Sequence, residues 1–220
     1  MKMKKEFGSN RSYKFLVLGD KMVGKTSILE RYVNRTFKEN YLMTIGMDKR
    51  FKRLEVNNKD VDIFITDTAG QERYRSLTKM FYKGADGILI GFSLTEPSSL
   101  ESVNYWIEQI NENCNKERPI SLVLFGNKCD DKENIKVKEE EINKIKNKYN
   151  LTYFETSAIE IINVEIVFEY LTKITIIKSG NLEDFDLPGK STIDDIIINE
   201  KENQKLEIKP IKPKKKKTFC

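Results

Sequence analysis

Apolar and polar positions along this chain fall into two alternating rhythms. Short apolar runs that read as strands recur at Phe15–Leu18, Phe51–Val56, Val61–Thr66, Ile88–Phe92, Ile120–Phe125 and Thr152–Phe154. The fourth and fifth are nearly continuous in apolar residues, the pattern of strands buried on both faces. Between the later runs the period lengthens to that of a helix. Leu100, Val103, Ile107 and Ile110 share one face, as do Ile142, Ile145 and Tyr149, and then Val164, Val167, Phe168, Leu171 and Ile174. Strands alternating with helices predict an α/β fold, a six-stranded, mostly parallel sheet flanked by helices. Past about Lys178 the rhythm is lost. Residues 1–10 are expected to form a short leader, 11–178 one folded domain, and 179–220 a flexible tail with a lone apolar patch at Ile196–Ile198.

Charge sharpens this division. The chain carries a formal net charge of +5. From Lys205 to the end, seven lysines stand against Glu207, a net of +6, so the rest of the chain sums to −1. The basic character belongs to the tail and not to a domain surface, which argues against nucleic acid as a partner. No apolar run approaches the ~18–20 residues needed to cross a bilayer. The basic start lacks the apolar stretch of a secretory signal, and Lys2 stands where myristoylation needs glycine. A cytosolic chain is the expectation. Cys114, Cys129 and Cys220 are too few and too scattered for a disulfide framework, and with no histidine they suggest no zinc site.

Three loops at strand ends carry the chemistry. The first run leads into Gly19-Asp-Lys-Met-Val-Gly-Lys-Thr26, the pattern Gly-x4-Gly-Lys-Thr, and then into a helix at Ser27–Val33. Such a loop turns backbone N–H groups of Gly19, Lys21, Met22, Val23, Gly24, Lys25, Thr26 and Ser27 toward phosphate oxygens at a helix N-terminus. Lys25 reaches the β/γ-phosphates, and the Thr26 hydroxyl suits Mg²⁺. This motif binds phosphate without choosing a base.

The base is read by Asn127-Lys128-Cys-Asp130 after the fifth run. A carboxylate at Asp130 accepts both N–H donors of a guanine edge, a pair that adenine lacks. After the sixth run, Ser157-Ala158 can bring a backbone amide to the guanine carbonyl. Asp67-Thr-Ala-Gly70-Gln71-Glu72 follows the third run. There Asp67 is the Mg²⁺-side carboxylate, Gly70 presents its N–H to the γ-phosphate, and Gln71 orients the attacking water.

With these motifs in chain order, residues 11–178 resemble the Ras-like small GTPases, and within them the Rab branch. Asp67–Glu72 followed by Arg73-Tyr-Arg-Ser-Leu-Thr78, then Phe81-Tyr-Lys-Gly-Ala85, Ile88–Thr95 and Thr44-Ile-Gly-Met-Asp48 carry that likeness. The resemblance implies a P-loop G domain that hydrolyses GTP slowly, with Gln71 and Lys25 as catalytic residues. It also implies that Phe37 packs on the guanine, Tyr41 closes over the nucleotide and Thr44 completes the Mg²⁺ coordination. Segments 37–48 and 68–82 would be switches that meet an exchange factor, a GAP and effectors of vesicle traffic. Thr66, Lys49 and Ile159 depart from the usual Trp, Phe and Lys of Rab proteins. Lys21 and Met22 replace small residues of the loop, so altered hydrolysis is expected at Lys21.

The tail ends Lys-Lys-Lys-Lys-Thr-Phe-Cys220. A lipid chain plus basic charge gives stable membrane attachment where either alone does not. Geranylgeranylation at Cys220 is expected although the usual paired cysteines are absent. The tail would then engage prenylation and membrane-extraction machinery and the cytosolic face of an internal or plasma membrane. Two other readings stand at this point. One is a GTP-binding interaction module with negligible hydrolysis, and the other is a P-loop kinase or ATPase.

Overall fold

The computed structural model describes residues 11–37, 47–56, 59–68, 79–115, 117–180 and 208–210. The leader, most of both expected switches, and the tail apart from residues 179–180 and 208–210 lie outside the described residues. In chain order the elements are β1 (Arg11–Leu18), α1 (Lys25–Asn34), β2 (Met47–Val56), β3 (Lys59–Thr68), α2 (Lys79–Tyr82) and β4 (Gly87–Ser93). They continue with α3 (Pro97–Asn113), β5 (Ser121–Asn127), α4 (Glu139–Tyr149), β6 (Thr152–Thr156), α5 (Val164–Lys178) and β7 (Ile208–Pro210). A 3-10 turn, Lys132–Asn134, precedes α4. Cys114 is the residue that caps the C-terminus of α3.

The strand order is β6-β5-β4-β1-β3-β2-β7. Neighbours from β6 through β3 are parallel, while β2 runs antiparallel to β3. The six expected strands are all present. A seventh, β7, lies antiparallel along the outer edge of β2, with Leu54 opposite Pro210 and Val56 opposite Ile208. Proline has no N–H to donate, so a ladder reaching Pro210 loses a bond there. β1 starts four residues before its apolar run. Arg11 and Ser12 are exposed, and pairing with Val61 and Asp62 of β3 extends the strand beyond its buried part.

Alternate side chains feed two cores. Phe15, Val17, Leu89, Val123 and Phe125 join Ile28, Leu29 and Tyr32 of α1 and Val167, Phe168 and Leu171 of α5. Leu16, Leu18, Ile88, Ile90 and Leu124 face Tyr82 of α2, Val103, Trp106 and Ile107 of α3, and Ile142 of α4. Burial on both faces is the physical cause of the unbroken apolar runs in β1, β4 and β5. On the first side, Tyr32 and Phe168 stack at 3.9 Å with an 8° interplanar angle, joining α1 to α5.

The sheet order makes β1 the point from which the chain departs in opposite directions, to β3 on one side and β4 on the other. Open α/β sheets bind ligands outside the carboxyl ends of strands at such a point. Close backbone packing holds the end of β1 there. Gly19 has φ +140°, and a Cβ built on it would lie 2.2 Å from the Gly91 carbonyl oxygen of β4. Gly91 in turn has no room for a side chain, since a Cβ there would fall 2.3 Å from Cζ of the buried Phe125.

Two predictions follow from this packing. Gly91→Ala is expected to lose about 1–3 kcal/mol of stability by overpacking, seen as an earlier midpoint in chemical denaturation. An unchanged midpoint would mean that the ring has slack the structure does not show. The second concerns Lys52, whose ammonium lies 3.5 Å from the Tyr32 ring centroid and donates to the Tyr32 carbonyl. Burial pushes its pKa down to about 8, against the opposing pull of Glu165. Between about pH 8 and the ordinary lysine value of 10.5, the unfolded chain therefore holds more of this proton than the folded one. Stability from this site rises with pH across that window. The thermal midpoint of the wild type should climb relative to Lys52→Met between pH 8 and 10, and parallel curves would contradict the assignment.

Candidate functional site

The loops at the carboxyl ends of β1, β5 and β6, together with the end of β3, meet at one edge of the sheet. The first begins at Gly19 and ends as α1. Met22 adopts φ +64° and Gly24 φ +97°, and Gly24 occupies the N-cap position of α1 with no capping side chain. A helix that starts without a side-chain cap directs its first N–H groups to whatever lies before it, which suits an anion. A Cβ on Gly24 would meet Asn127 Nδ2 at 2.3 Å, so glycine is required there by contact as well as by φ. Lys25 is 5% exposed, and its ammonium donates to the carbonyls of Gly19 at 2.8 Å and Asp20 at 2.7 Å. The cation is thereby fixed inside the curve of its own loop. Lys21 is exposed, and Met22 is 58% exposed.

Beside this loop, the Thr26 hydroxyl donates to Asp67 Oδ2 at 2.6 Å. Asp67 is fully buried, and its Oδ1 has no hydrogen-bond partner among the described residues. Burial raises its pKa, while the Thr26 bond and the charge of Lys25 pull it back. An orphaned buried carboxylate oxygen next to a hydroxyl is a donor set that fits a hard divalent cation such as Mg²⁺. Thr44, Gly70 and Gln71, expected to complete this half, lie outside the described residues, as does Tyr41.

The base motif is tied directly to the phosphate loop. Asn127, 2% exposed at the end of β5, donates from Nδ2 to the Val23 carbonyl at 2.8 Å. Its Oδ1 accepts from the Thr156 hydroxyl at 3.3 Å. Lys128 takes φ +67°, and the Cys129 N–H donates to the Thr156 carbonyl at 3.2 Å. These bonds shape the turn that carries Asp130, whose side chain is half-buried. Ser157 is fully buried; its N–H and carbonyl exchange bonds with Ile162 at 3.1 Å each, and its hydroxyl accepts from the Glu160 N–H at 2.9 Å. Ala158 is buried beside it.

Sequence reasoning missed two residues that assemble these loops. Arg31 of α1 donates from Nε to the Ala158 carbonyl at 2.7 Å and from Nη2 to the Ile159 carbonyl at 3.3 Å. The same guanidinium lies 5.0 Å from the centroid of the Phe37 ring. One side chain thus links α1, the Ser157-Ala158 loop and Phe37. The second is Trp106 of α3, whose indole N–H donates to Asp20 Oδ1 at 3.0 Å. Both contacts join residues far apart in the chain, and neither belongs to a local pattern.

Two of the departures from the Rab pattern sit differently in space. Lys49 is exposed, but Thr66 is 3% exposed and offers little surface to a partner. Two rungs along, Phe51 of β2 and Phe64 of β3 form an exposed aromatic pair with centroids 5.4 Å apart. Arg53, two rungs further on, forms a two-bond fork with Asp62 at 2.5 and 2.8 Å.

Known proteins give this arrangement its family. The sequence profile of the Ras family matches residues 14–177. Ras-related protein Rab-13 of Bos taurus is 35% identical over 168 residues, covering 76% of this chain and 82% of the relative. Ras-related protein Rab-10 of Diplobatis ommata is 34% identical over 179 residues, 80% of this chain and 88% of the relative. Ras-related protein SEC4 of Candida albicans (strain WO-1) is 36% identical over 170 residues, 76% and 80% respectively. Membership brings GTP binding and hydrolysis in general, with nucleotide binding that depends on Mg²⁺. With a phosphate loop, a base loop and a buried acid on one sheet edge, the chain belongs to the Ras family and, within it, to the Rab branch, as a Rab-like nucleotide-binding switch of vesicle trafficking.

Proposed function

We propose that residues 11–178 form a G domain that binds GDP and GTP and hydrolyses GTP slowly, with 179–220 as a tail that brings it to a membrane. The observation that carries the reading is the Asn127–Val23 hydrogen bond of 2.8 Å, which makes the base loop and the phosphate loop one unit. A nucleotide seated there has its guanine edge against Asp130 and the Ser157-Ala158 turn, where the Ala158 N–H meets the guanine carbonyl because that of Ser157 is taken by Ile162, with Lys128 and Phe37 along the ring. Its phosphates lie in the curve of Gly19–Ser27. Thr26, Thr44 and Asp67 would hold Mg²⁺, which when bound supplies positive charge to the phosphate oxygens.

In hydrolysis the chain's own residues position and balance charge. Lys25, fixed by two carbonyls, places its ammonium against the β- and γ-phosphates. The Gly70 N–H donates to the γ-phosphate. Gln71 holds the attacking water in line and donates no proton of its own to the reaction. Lys21, exposed at the rim of the loop, adds a second cation where the γ-phosphate and any GAP residue would meet. This is the reason to expect an altered rate there.

The tail supports the membrane part of the proposal. The net charge of +6 from Lys205 to Cys220 suits an anionic leaflet, and Cys220 offers the thiol for a geranylgeranyl chain. Attachment would place the protein on the cytosolic face of an internal or plasma membrane. Exchange factor, GAP and effectors would approach through segments 37–48 and 68–82, with the exposed Phe51–Phe64 pair between them.

Two experiments test these roles. In a competition assay with fluorescent GDP, the wild type should prefer GTP over ATP by several orders of magnitude. Asp130→Ala should lose at least tenfold in GTP affinity without gaining ATP affinity; equal affinity of the wild type for both nucleotides would refute the base assignment. In single-turnover assays, the unaided wild-type rate is expected to be on the order of 10⁻⁴ s⁻¹, that of the relative Ras. Gln71→Leu should lower it further, and Lys21→Ser should change the rate in the presence of cell extract. Identical rates for all three proteins would remove both side chains from the chemistry.

A further inference from the structure

The phosphate loop contains an acid, Asp20, between Gly19 and Lys21. A carboxylate close to bound phosphates opposes their binding by like-charge repulsion, so where it is held matters. In this structure Oδ1 of Asp20 accepts the indole N–H of Trp106 at 3.0 Å. Trp106 is 6% exposed in the middle of α3, packed in the core that also contains Tyr82 of α2, and set edge-on to Tyr105 at 5.3 Å. Indole has one donor and no acceptor. This bond therefore uses the whole polar capacity of the ring and turns the acid toward α3.

The main chain of the same residue serves the site directly. The Asp20 carbonyl accepts from the Lys25 ammonium at 2.7 Å. Trp106 thus grips by its side chain the residue whose backbone orients the lysine of the loop. We propose that Trp106 is a positioning residue for the nucleotide: it anchors Asp20 to α3, keeps the carboxylate away from the phosphates and thereby slows nucleotide release. The inference rests on the reading that Gly19–Ser27 holds the phosphates.

Three variants separate this role from simple packing. Trp106→Phe keeps an aromatic ring in the core and removes the N–H. Asp20→Asn keeps an acceptor and removes the charge, and the double variant combines them. Release of fluorescent GDP from the full chain is followed by stopped flow, with chemical denaturation of each GDP-bound protein alongside. Trp106→Phe should release GDP about tenfold faster, because the freed carboxylate can swing toward the phosphates. Asp20→Asn, which keeps the acceptor for Trp106 without the charge, sets the reference rate for the double variant. The double variant should recover most of the loss, since the repelling charge is gone. A loss that comes only from packing would not be rescued at Asp20.

Trp106 is also the only tryptophan of the chain. Its emission should change when GDP binds, and Asp20→Ala should abolish that change; this readout does not depend on Trp106→Phe folding. An unchanged release rate in Trp106→Phe, or equally fast release by that variant and the double variant, would overturn the proposal. So would a GDP-induced emission change that survives in Asp20→Ala. Failure of the wild type to bind GDP would instead remove the nucleotide reading itself, and this inference with it.

Discussion

One hydrogen bond organises the site: the Asn127 side-chain amide donates to the Val23 carbonyl across 104 residues of sequence. Both groups are buried, so leaving either unpaired would cost about 1–3 kcal/mol. The bond is possible only because Gly24 has no Cβ, which would stand 2.3 Å from the donating nitrogen. Asn127 is itself held by Thr156 at the end of β6, and the Cys129 N–H closes onto the same residue. Phosphate loop, base loop and β6 loop are therefore positioned against one another before any ligand is considered.

The sheet supplies the rigid frame for that contact. β5 is paired along its whole length with β4 and from Val123 to Asn127 with β6, so that Ser93 of β4 and Thr156 of β6 stand opposite Asn127. β1 ends where Gly19 rests on the Gly91 carbonyl, and Gly91 rests on Phe125. Each of these contacts excludes a methyl group, so the start of the phosphate loop is located to within a fraction of a van der Waals radius. Helices then act on the loops from either face, α1 through Arg31 and α3 through Trp106. The same construction explains why Asp67, buried at the end of β3 beside Thr26, can keep an unpaired oxygen. Its cost is borne by the packing around it, and the oxygen is available to a cation.

Much of this was legible in the chain. Runs such as Ile88–Phe92 announce a doubly buried strand because every position is apolar, and all five positions are indeed buried. The helix faces at Leu100, Val103, Ile107 and Ile110 and at Val164 through Ile174 lie in the two cores for the same reason. The loop motifs could be placed because each follows a strand. What the pattern does not contain is contact between distant positions. Arg31 and Trp106 look like ordinary members of helices, and their polar partners are 127 and 86 residues away. β7 was not foreseen because three residues ending in proline, within a lysine-rich segment, show neither alternation nor apolar character. Thr66, where Rab proteins usually carry Trp, is buried, while the aromatic pair Phe51–Phe64 on the same two strands is exposed.

The claim that the two loops form one binding unit is tested most directly at Asn127. Calorimetric titration of the wild type and Asn127→Ala with GDP and Mg²⁺ measures it, with a denaturation curve for each to show that both are folded. Losing the clamp should weaken GDP binding by about 10–100-fold, the equivalent of one buried hydrogen bond left unmade. A folded Asn127→Ala that binds GDP as tightly as the wild type would contradict the account.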